Sequence, residues 1–154
     1  MASEIERKFL TKGSAWRRVQ PVRVRQGFLS SVKGRTVRVR IAEDRAFLTI
    51  KGIAVRATRP EFEYEIPLED ARQLLNLCEK PLIEKDRYRL EEDGVIWEVD
   101  EFHGDNEGLI LAEVELESEE QPFSKPEWLG EEVTGDPRYY NSNLIQNPFT
   151  NWQA

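Results

Sequence analysis

Charged residues placed two apart along β-like segments constrain this chain more than any other feature of its sequence. Successive side chains of a strand point to opposite faces, so residues two apart are neighbours on one face. Eight segments alternate with this period: residues 4–10, 22–29, 36–41, 46–51, 61–66, 85–90, 95–100 and 109–117. Eight such strands in 154 residues predict an antiparallel sandwich or barrel, formed by a single domain over residues 1–154.

Most of these strand faces carry charges of one sign, whereas a solvated face normally mixes signs because like charges repel. The first strand carries Glu4, Glu6 and Lys8 on one face. Three strands are acidic, with Glu61, Glu63 and Glu65, with Glu98 and Asp100, and with Glu113, Glu115 and Glu117. Four are basic, with Arg23 and Arg25, with Arg38 and Arg40, with Lys51, and with Lys85, Arg87 and Arg89. We therefore predict a mainly β, eight-stranded antiparallel barrel with the charges lining its lumen.

Such a barrel has an apolar outer face, which a few helices must cover. Residues 68–78 place apolar side chains on one helical stripe. Ser124 is placed to cap a short helix with Pro126 near its first turn, and residues 14–19 fit a single helical turn. A C-terminal helix starts after Asp136 and ends at Pro148. Burying so many charges without a ligand would be very unfavourable, so the lumen is expected to be wet and to bind something ionic.

Composition excludes several other classes of protein. The net charge of −7 argues against a nucleic-acid binder, and one cysteine excludes an internal disulfide. The sequence has no apolar run of membrane-spanning length and no signal-peptide pattern, so we expect a cytoplasmic protein without a membrane partner. The oligomeric state stays open, a homodimer included.

The charge pattern points to a metal with a polyphosphate. Arginine and lysine clusters fit phosphate oxygens, and clustered carboxylates fit a hard cation such as Mg²⁺ or Mn²⁺. With one His and one Cys, the usual ligands of a zinc site are lacking. Phosphoryl transfer needs mainly positioning and charge neutralisation, which such a lumen supplies.

Several short motifs, in order along the chain, resemble the CYTH domain of the triphosphate tunnel metalloenzymes. They are "EIERK" near the N-terminus, followed by "QGFL", "VRVR" (37–40), "TIK", "EFE", "KDR", "WEVD", "EVE" and "DPRYYNSNL". The resemblance runs over nearly the whole chain and indicates a short, bacterial-type member similar to the tripolyphosphatases. It implies a closed tunnel of eight strands with a C-terminal helix that plugs it.

The resemblance also implies roles for individual residues. The metal ligands would be Glu4, Glu6, Glu113 and Glu115, and the phosphate-binding residues would be Lys8, Arg38, Arg40, Lys51, Lys85 and Arg87. The candidate catalytic residues are Glu6, Glu63 and Lys85. Glu61, Glu63, Glu98 and Asp100 would hold a second metal, orient water or pin the basic residues by salt bridges. Arg23 and Arg25 are expected to face the lumen too, and Tyr140 and Asn143 to reach it from the C-terminal helix.

The leading hypothesis is a Mg²⁺- or Mn²⁺-dependent triphosphatase that cleaves inorganic tripolyphosphate, or a similar small triphosphate, with metal-activated water. The alternatives are a class IV-type adenylate cyclase or a thiamine triphosphatase that uses the same tunnel. A binding module that holds polyphosphate without turnover belongs to a different class. All four expected metal carboxylates are present, which favours an enzyme.

Overall fold

The computed structural model describes residues 3–152 and is built mainly from β-strands. The strands are β1 Ser3–Thr11, β2 Val22–Ser30, β3 Thr36–Ala42, β4 Arg45–Lys51, β5 Thr58–Ile66, β6 Ile83–Glu92, β7 Val95–Phe102, β8 Ile110–Glu115 and β9 Leu129–Glu132. The α-helices are α1 Leu68–Leu77 and α2 Asn141–Leu144. Four 3-10 turns cover Ala15–Arg18, Gly104–Asn106, Pro137–Tyr139 and Phe149–Asn151.

Eight of the strands form a closed antiparallel barrel, as predicted. The order around the sheet is β5-β4-β3-β2-β6-β7-β8-β1, and β1 pairs back with β5. This closing seam is short, because only Ser3 to Ile5 pair with Thr58 to Pro60. Farther along, β1 leaves β5 and pairs with β9 instead, which lies outside the closed barrel. The first strand therefore joins three different partners.

The outer face of the barrel is apolar and is covered in two places. Helix α1 packs Ala71 and Leu75 against Val39 and Ile41 of β3. On the other side, Trp16 and the segment that precedes β9 cover the apolar faces of β6, β7 and β8. This arrangement confirms the predicted helix at 68–78 and the helical turn near residue 16.

The helix predicted after Ser124 is wrong, because the chain there runs without regular structure into β9. Backbone pairing with β1 explains the difference: Leu129 and Glu132 of β9 take the edge that β1 leaves free beyond β5. Between residues 3 and 152, no helix is both long and apolar enough to cross a membrane.

The C-terminal segment closes one end of the barrel. Tyr139, Leu144 and Ile145 pack with Phe28 and Leu111 in an apolar cluster at this end. Asp136 caps the first turn of the segment by accepting a hydrogen bond from the Arg138 amide at 3.1 Å. The seal is made by a 3-10 turn and the four-residue α2 rather than by one continuous helix. We call Tyr140, Asn141 and Ser142 the plug, because they face the barrel cavity.

Candidate active site

The barrel encloses a cavity of about 310 Å³ whose wall is almost entirely polar. A cavity of this size suits a small ligand. Most of the predicted site residues line it: Glu4, Glu6, Lys8, Arg38, Arg40, Lys51, Glu61, Glu63, Lys85, Arg87, Glu98, Glu113, Glu115 and Tyr140. The alternating charges of the sequence therefore do converge on one lumen.

Four of the candidate lumen residues do not line the cavity: Arg23, Arg25, Asn143 and Asp100. Arg23 and Arg25 are exposed, and Arg23 pairs with Asp86 at 3.3 Å on the outer face. The expectation that they face the lumen is wrong, because β2 turns Val24 and Gln26 inward instead. Asn143 is also outside the cavity: its side-chain amide donates to the Pro137 carbonyl at 2.7 Å.

Asp100 is buried beneath the cavity wall, where it pairs with two basic residues. Its carboxylate accepts two hydrogen bonds from Arg87, both at 2.8 Å, and lies 2.9 Å from the Lys85 Nζ. Burial alone would raise the pKa of Asp100, but the two cations outweigh it and hold that pKa well below its ordinary value. Of the three roles left open for Asp100, these contacts fit the pinning of basic residues.

Lys85 is 2% exposed and is the most deeply buried cation of the cavity wall. Burial and the nearby Arg87 guanidinium lower the pKa of Lys85 to about 8, against the attraction of Asp100. Arg87 also reaches Glu98 at 3.3 Å and Glu113 at 3.7 Å. Lys85 and Arg87 therefore both line the cavity, and both are paired with the buried carboxylate of Asp100 behind them. We call this part of the cavity the inner end of the lumen.

Arg38 and Arg40 form a second basic wall on β3. Both approach the Glu63 carboxylate, at 3.6 Å and 3.4 Å, and the Thr49 hydroxyl donates to the same carboxylate at 2.9 Å. Burial and the neighbouring guanidinium groups of Arg38 and Arg87 lower the pKa of Arg40 to about 10. The Nε atoms of Arg38 and Arg40 are buried and have no hydrogen-bond partner among the described residues. Such orphaned donors beside a polar cavity fit an anionic ligand.

The carboxylates lie mainly on β1, β5 and β8. Glu4 accepts a 2.7 Å hydrogen bond from Lys51, and Glu113 lies 3.3 Å from the Lys8 Nζ. Burial raises the pKa of Glu6 to about 8, and the charges of Glu113 and Glu4 add to the effect. The crowding of these groups means that an added cation would relieve carboxylate repulsion.

The same crowding extends to the neighbouring strands. Burial and the charge of Glu4 raise the pKa of Glu61 to about 7, and the same two causes raise that of Glu115. Glu113 differs: burial would raise its pKa, but Lys8, Arg87 and Lys85 lower it to about 2. The lumen therefore combines carboxylates that repel one another with one that is held ionised by cations.

The donor set fits a hard cation, since it consists of carboxylate oxygens whose charges are incompletely neutralised. Within residues 3–152, however, no three Asp, Glu, His or Cys side chains already stand together in metal-binding geometry. Glu4 and Glu113 instead contact lysines. Binding a metal at Glu4, Glu6, Glu113 and Glu115 would thus exchange lysine contacts for metal contacts.

Sequence reasoning missed several polar residues of the cavity. Arg59 lines it because β5 begins at Thr58, before Pro60, and continues the alternation of Glu61 and Glu63. Extending that alternation by one step would have found it. Asn141 lines the cavity in place of Asn143, since two residues along a helix turn a side chain to the other side. Thr49 lines the cavity too, as its place two residues before Lys51 on one face of β4 predicts.

The fold and site define a class of protein: a closed β-barrel whose charged lumen can hold a small polyanion together with a cation. The CYTH domain family model matches residues 2–140, and the chain belongs to this family. The family is metal-dependent in general. This agrees with the resemblance found in the sequence.

Two curated relatives are both named inorganic triphosphatase. The protein from Acetivibrio thermocellus is 50% identical over 155 residues, which cover 99% of each chain. The protein from Nitrosomonas europaea is 37% identical over 146 residues, covering 92% of this chain and 96% of the relative. A crystal structure described as the inorganic triphosphatase NE1496 superposes with a TM-score of 0.66 at 36% identity, covering 92% of this chain and 96% of that one.

Proposed function

We propose that this protein hydrolyses inorganic tripolyphosphate with the help of Mg²⁺ or Mn²⁺. The observation that carries the proposal is the pairing of two basic walls, with orphaned guanidinium donors, and a crowded set of carboxylates in one cavity of about 310 Å³. The names of the relatives support the same activity. We also propose that residues 1–154 form a single domain, because the C-terminal segment packs into the barrel end.

The basic residues would bind the substrate. Lys8, Arg38, Arg40, Lys51, Lys85 and Arg87 all line the cavity and would contact phosphate oxygens. The guanidinium groups of Arg38 and Arg40 are held by Glu63, so they need little reorganisation when an anion arrives. This supports a positioning role for Glu63 over its expected role in direct catalysis.

The carboxylates of Glu4, Glu6, Glu113 and Glu115 would hold the metal. When bound, a divalent ion supplies charge neutralisation and lowers the pKa of water. Glu6 has no cationic hydrogen-bond partner among the described residues, in contrast to Glu4. Glu115 shares this lack of a cationic partner in the described part of the chain, so Glu6 and Glu115 are the two carboxylates of the set that can meet a cation without first leaving a lysine or arginine. Lys85 would stabilise the negative charge that develops on the phosphate deepest in the lumen.

The test is a panel of tripolyphosphate, ATP and thiamine triphosphate, each with Mg²⁺, Mn²⁺ or a chelator. Released phosphate and cyclic AMP are measured together. We expect phosphate release from tripolyphosphate that stops with chelator. Cyclic AMP as the main product would favour the cyclase, and preference for thiamine triphosphate would favour that hydrolase. Binding without any turnover would favour the binding module.

Replacing Glu6 with Gln keeps the shape of the side chain but removes its charge. Tripolyphosphate turnover should fall by about 10²-fold or more, because charge neutralisation is most of what such a site contributes. The matched control is Arg7→Gln on the opposite face of β1, where Arg7 pairs with Glu132 at 2.7 Å outside the cavity. Equal losses in both variants would contradict the assignment of Glu6.

A further inference from the structure

Asn141 stands where the plug meets the inner end of the lumen. It is the first residue of α2 and lines the cavity beside Tyr140 and Ser142. Its side-chain oxygen Oδ1 accepts a hydrogen bond from the Lys85 Nζ at 3.0 Å. The same oxygen accepts a second hydrogen bond, at 2.8 Å, from the amide of Gln26 on β2. One neutral oxygen of the plug thus joins two strands of the barrel.

Within residues 3–152, one N–H of the Lys85 ammonium has no hydrogen-bond acceptor. An ammonium group has three N–H donors. Asp100 takes one at 2.9 Å and Asn141 takes another at 3.0 Å. Because Lys85 lines the cavity, its third N–H is available to a ligand there. A lysine held by two fixed acceptors loses little rotamer freedom when it binds an anion, whereas a free lysine loses much more.

Lys85 fixes the orientation of Asn141. An ammonium group has only donors, so the oxygen and not the NH₂ group of Asn141 must face it. The amide of Gln26, whose side chain is 0% exposed, donates to the same oxygen and holds it from the barrel side. Rotation of the Asn141 amide would break both hydrogen bonds and bring an NH₂ group against the Lys85 ammonium.

We infer that Asn141 is a positioning residue that, together with Asp100, aims the Lys85 ammonium at the substrate. This inference rests on the proposed triphosphatase function. Two properties of the Asn141 side chain suit this role: its oxygen accepts a hydrogen bond from Lys85, and it carries no charge. A carboxylate at the same place would hold Lys85 equally well but would add negative charge to the end of a cavity that must bind a polyanion.

The test compares kcat and KM for tripolyphosphate with Mg²⁺ in Asn141→Ala and Asn141→Asp. In Asn141→Ala, Lys85 loses one of its two fixed acceptors, so kcat should fall about ten-fold while KM stays within about three-fold. In Asn141→Asp, the acceptor remains, so kcat should stay within about three-fold of the wild type, whereas KM should rise about ten-fold from charge repulsion. A purely structural role would not lower kcat in Asn141→Ala while raising only KM in Asn141→Asp.

The matched control is Gln146→Ala, which alters an exposed side chain in the same C-terminal segment. It should behave as the wild type. Lys85→Ala and the Lys85→Ala/Asn141→Ala double variant are then compared, because residues that act through one another are not additive. The double variant should be no slower than Lys85→Ala alone. If Lys85→Ala has no measurable turnover, the same comparison uses the tripolyphosphate-induced shift in melting temperature.

Three results would overturn the inference: wild-type kcat in Asn141→Ala, a parallel loss of kcat in Asn141→Asp, or a further loss in the double variant. If Asn141→Ala fails to fold, Asn141→Asp, which has the same shape, still gives the decisive division between kcat and KM. Wild-type protein that does not hydrolyse tripolyphosphate would instead refute the proposed function. The two failures are therefore distinguishable.

Discussion

The tetrapeptide Val-Arg-Val-Arg occurs twice in this chain, at residues 22–25 and 37–40, and its arginines take opposite sides of the barrel wall. In β2, Arg23 and Arg25 are exposed on the outer face. In β3, the next strand of the sheet, Arg38 and Arg40 line the lumen. The same four residues in neighbouring strands therefore orient their arginines in opposite directions, so the tetrapeptide alone does not determine which face its arginines occupy.

The residues around each copy make the choice. In β2, Gly27 lies on the same face as Arg23 and Arg25, close under the segment that follows α1. A Cβ added to Gly27 would stand 2.7 Å from Leu82 and 2.8 Å from Cys78. In β3, Val39 and Ile41 pack under α1 and turn the arginines inward. Because side chains alternate along a regular strand, one such contact fixes the face of the residues around it, in β2 up to the register shift between Phe28 and Ser30.

The largest expected difference between the arginines of β2 and β3 is in their contribution to activity. We expect Arg40→Ala to lower tripolyphosphate turnover by about 10³-fold, since it removes a positioned cation from the lumen. Arg25→Ala should stay within about two-fold of the wild type. Steady-state hydrolysis of tripolyphosphate with Mg²⁺ measures both, and similar losses would mean that β2 also presents its arginines to the substrate.

Arginines on the two sides of the barrel wall should also differ in how much their carboxylate partners contribute to the free energy of unfolding. Asp100→Asn breaks a buried pair with Arg87 and should lower the free energy of unfolding by about 3 kcal/mol at pH 7. Asp86→Asn affects the exposed pair with Arg23 and should change it by about 1 kcal/mol or less. Urea unfolding measures both, and equal effects would contradict the difference in burial.

The effect of Asp100 should also depend on pH. The folded-state pKa of Asp100 is depressed, so its contribution to stability is present above its unfolded pKa of about 3.9 and is lost as pH falls. The difference between the wild type and Asp100→Asn should therefore shrink below about pH 4. A difference that grew with acidification would contradict the ion pair.

The smallest effect concerns the glycine that sets the face of β2. Gly27→Ala places a methyl group against Leu82 and Cys78, and should lower the free energy of unfolding by about 1 to 2 kcal/mol. Activity of the folded variant should be kept, because this contact lies outside the lumen. Thermal melts and hydrolysis assays measure the two quantities. A variant as stable as the wild type would show that packing at Gly27 does not fix the face.

The strands and their closure were predictable from the sequence because alternation is local and the charges follow it. The eight predicted strands and α1 are present with small shifts at their ends. Strand β9 was not predictable, since its short run Leu129–Glu132 has little alternation and forms only because β1 offers an edge there. Local pattern gave no sign of that distant partner.

The site, like the fold, has residues that the sequence predicted and residues that it did not. The charged site residues were predictable from their alternation along the strands, and most of them line the lumen. The errors at Arg23 and Arg25 arose because the face of β2 is decided by contacts with Leu82 and Cys78, more than 50 residues away. The neutral Asn141 was missed because hydrogen bonding, rather than charge, brings it to the lumen.

The way in which β1 shares its edges has a consequence for the order of synthesis. Glu6 and Lys8 pair with Glu115 and Glu113, and Phe9 pairs with Glu132, so residues of β1 find these neighbours more than a hundred residues later in the sequence. On a ribosome, β1 must wait until more than a hundred further residues have emerged before it can close the barrel. The lumen then gains its N-terminal carboxylates and its shape in the same late step, so a nascent chain has no partly working site.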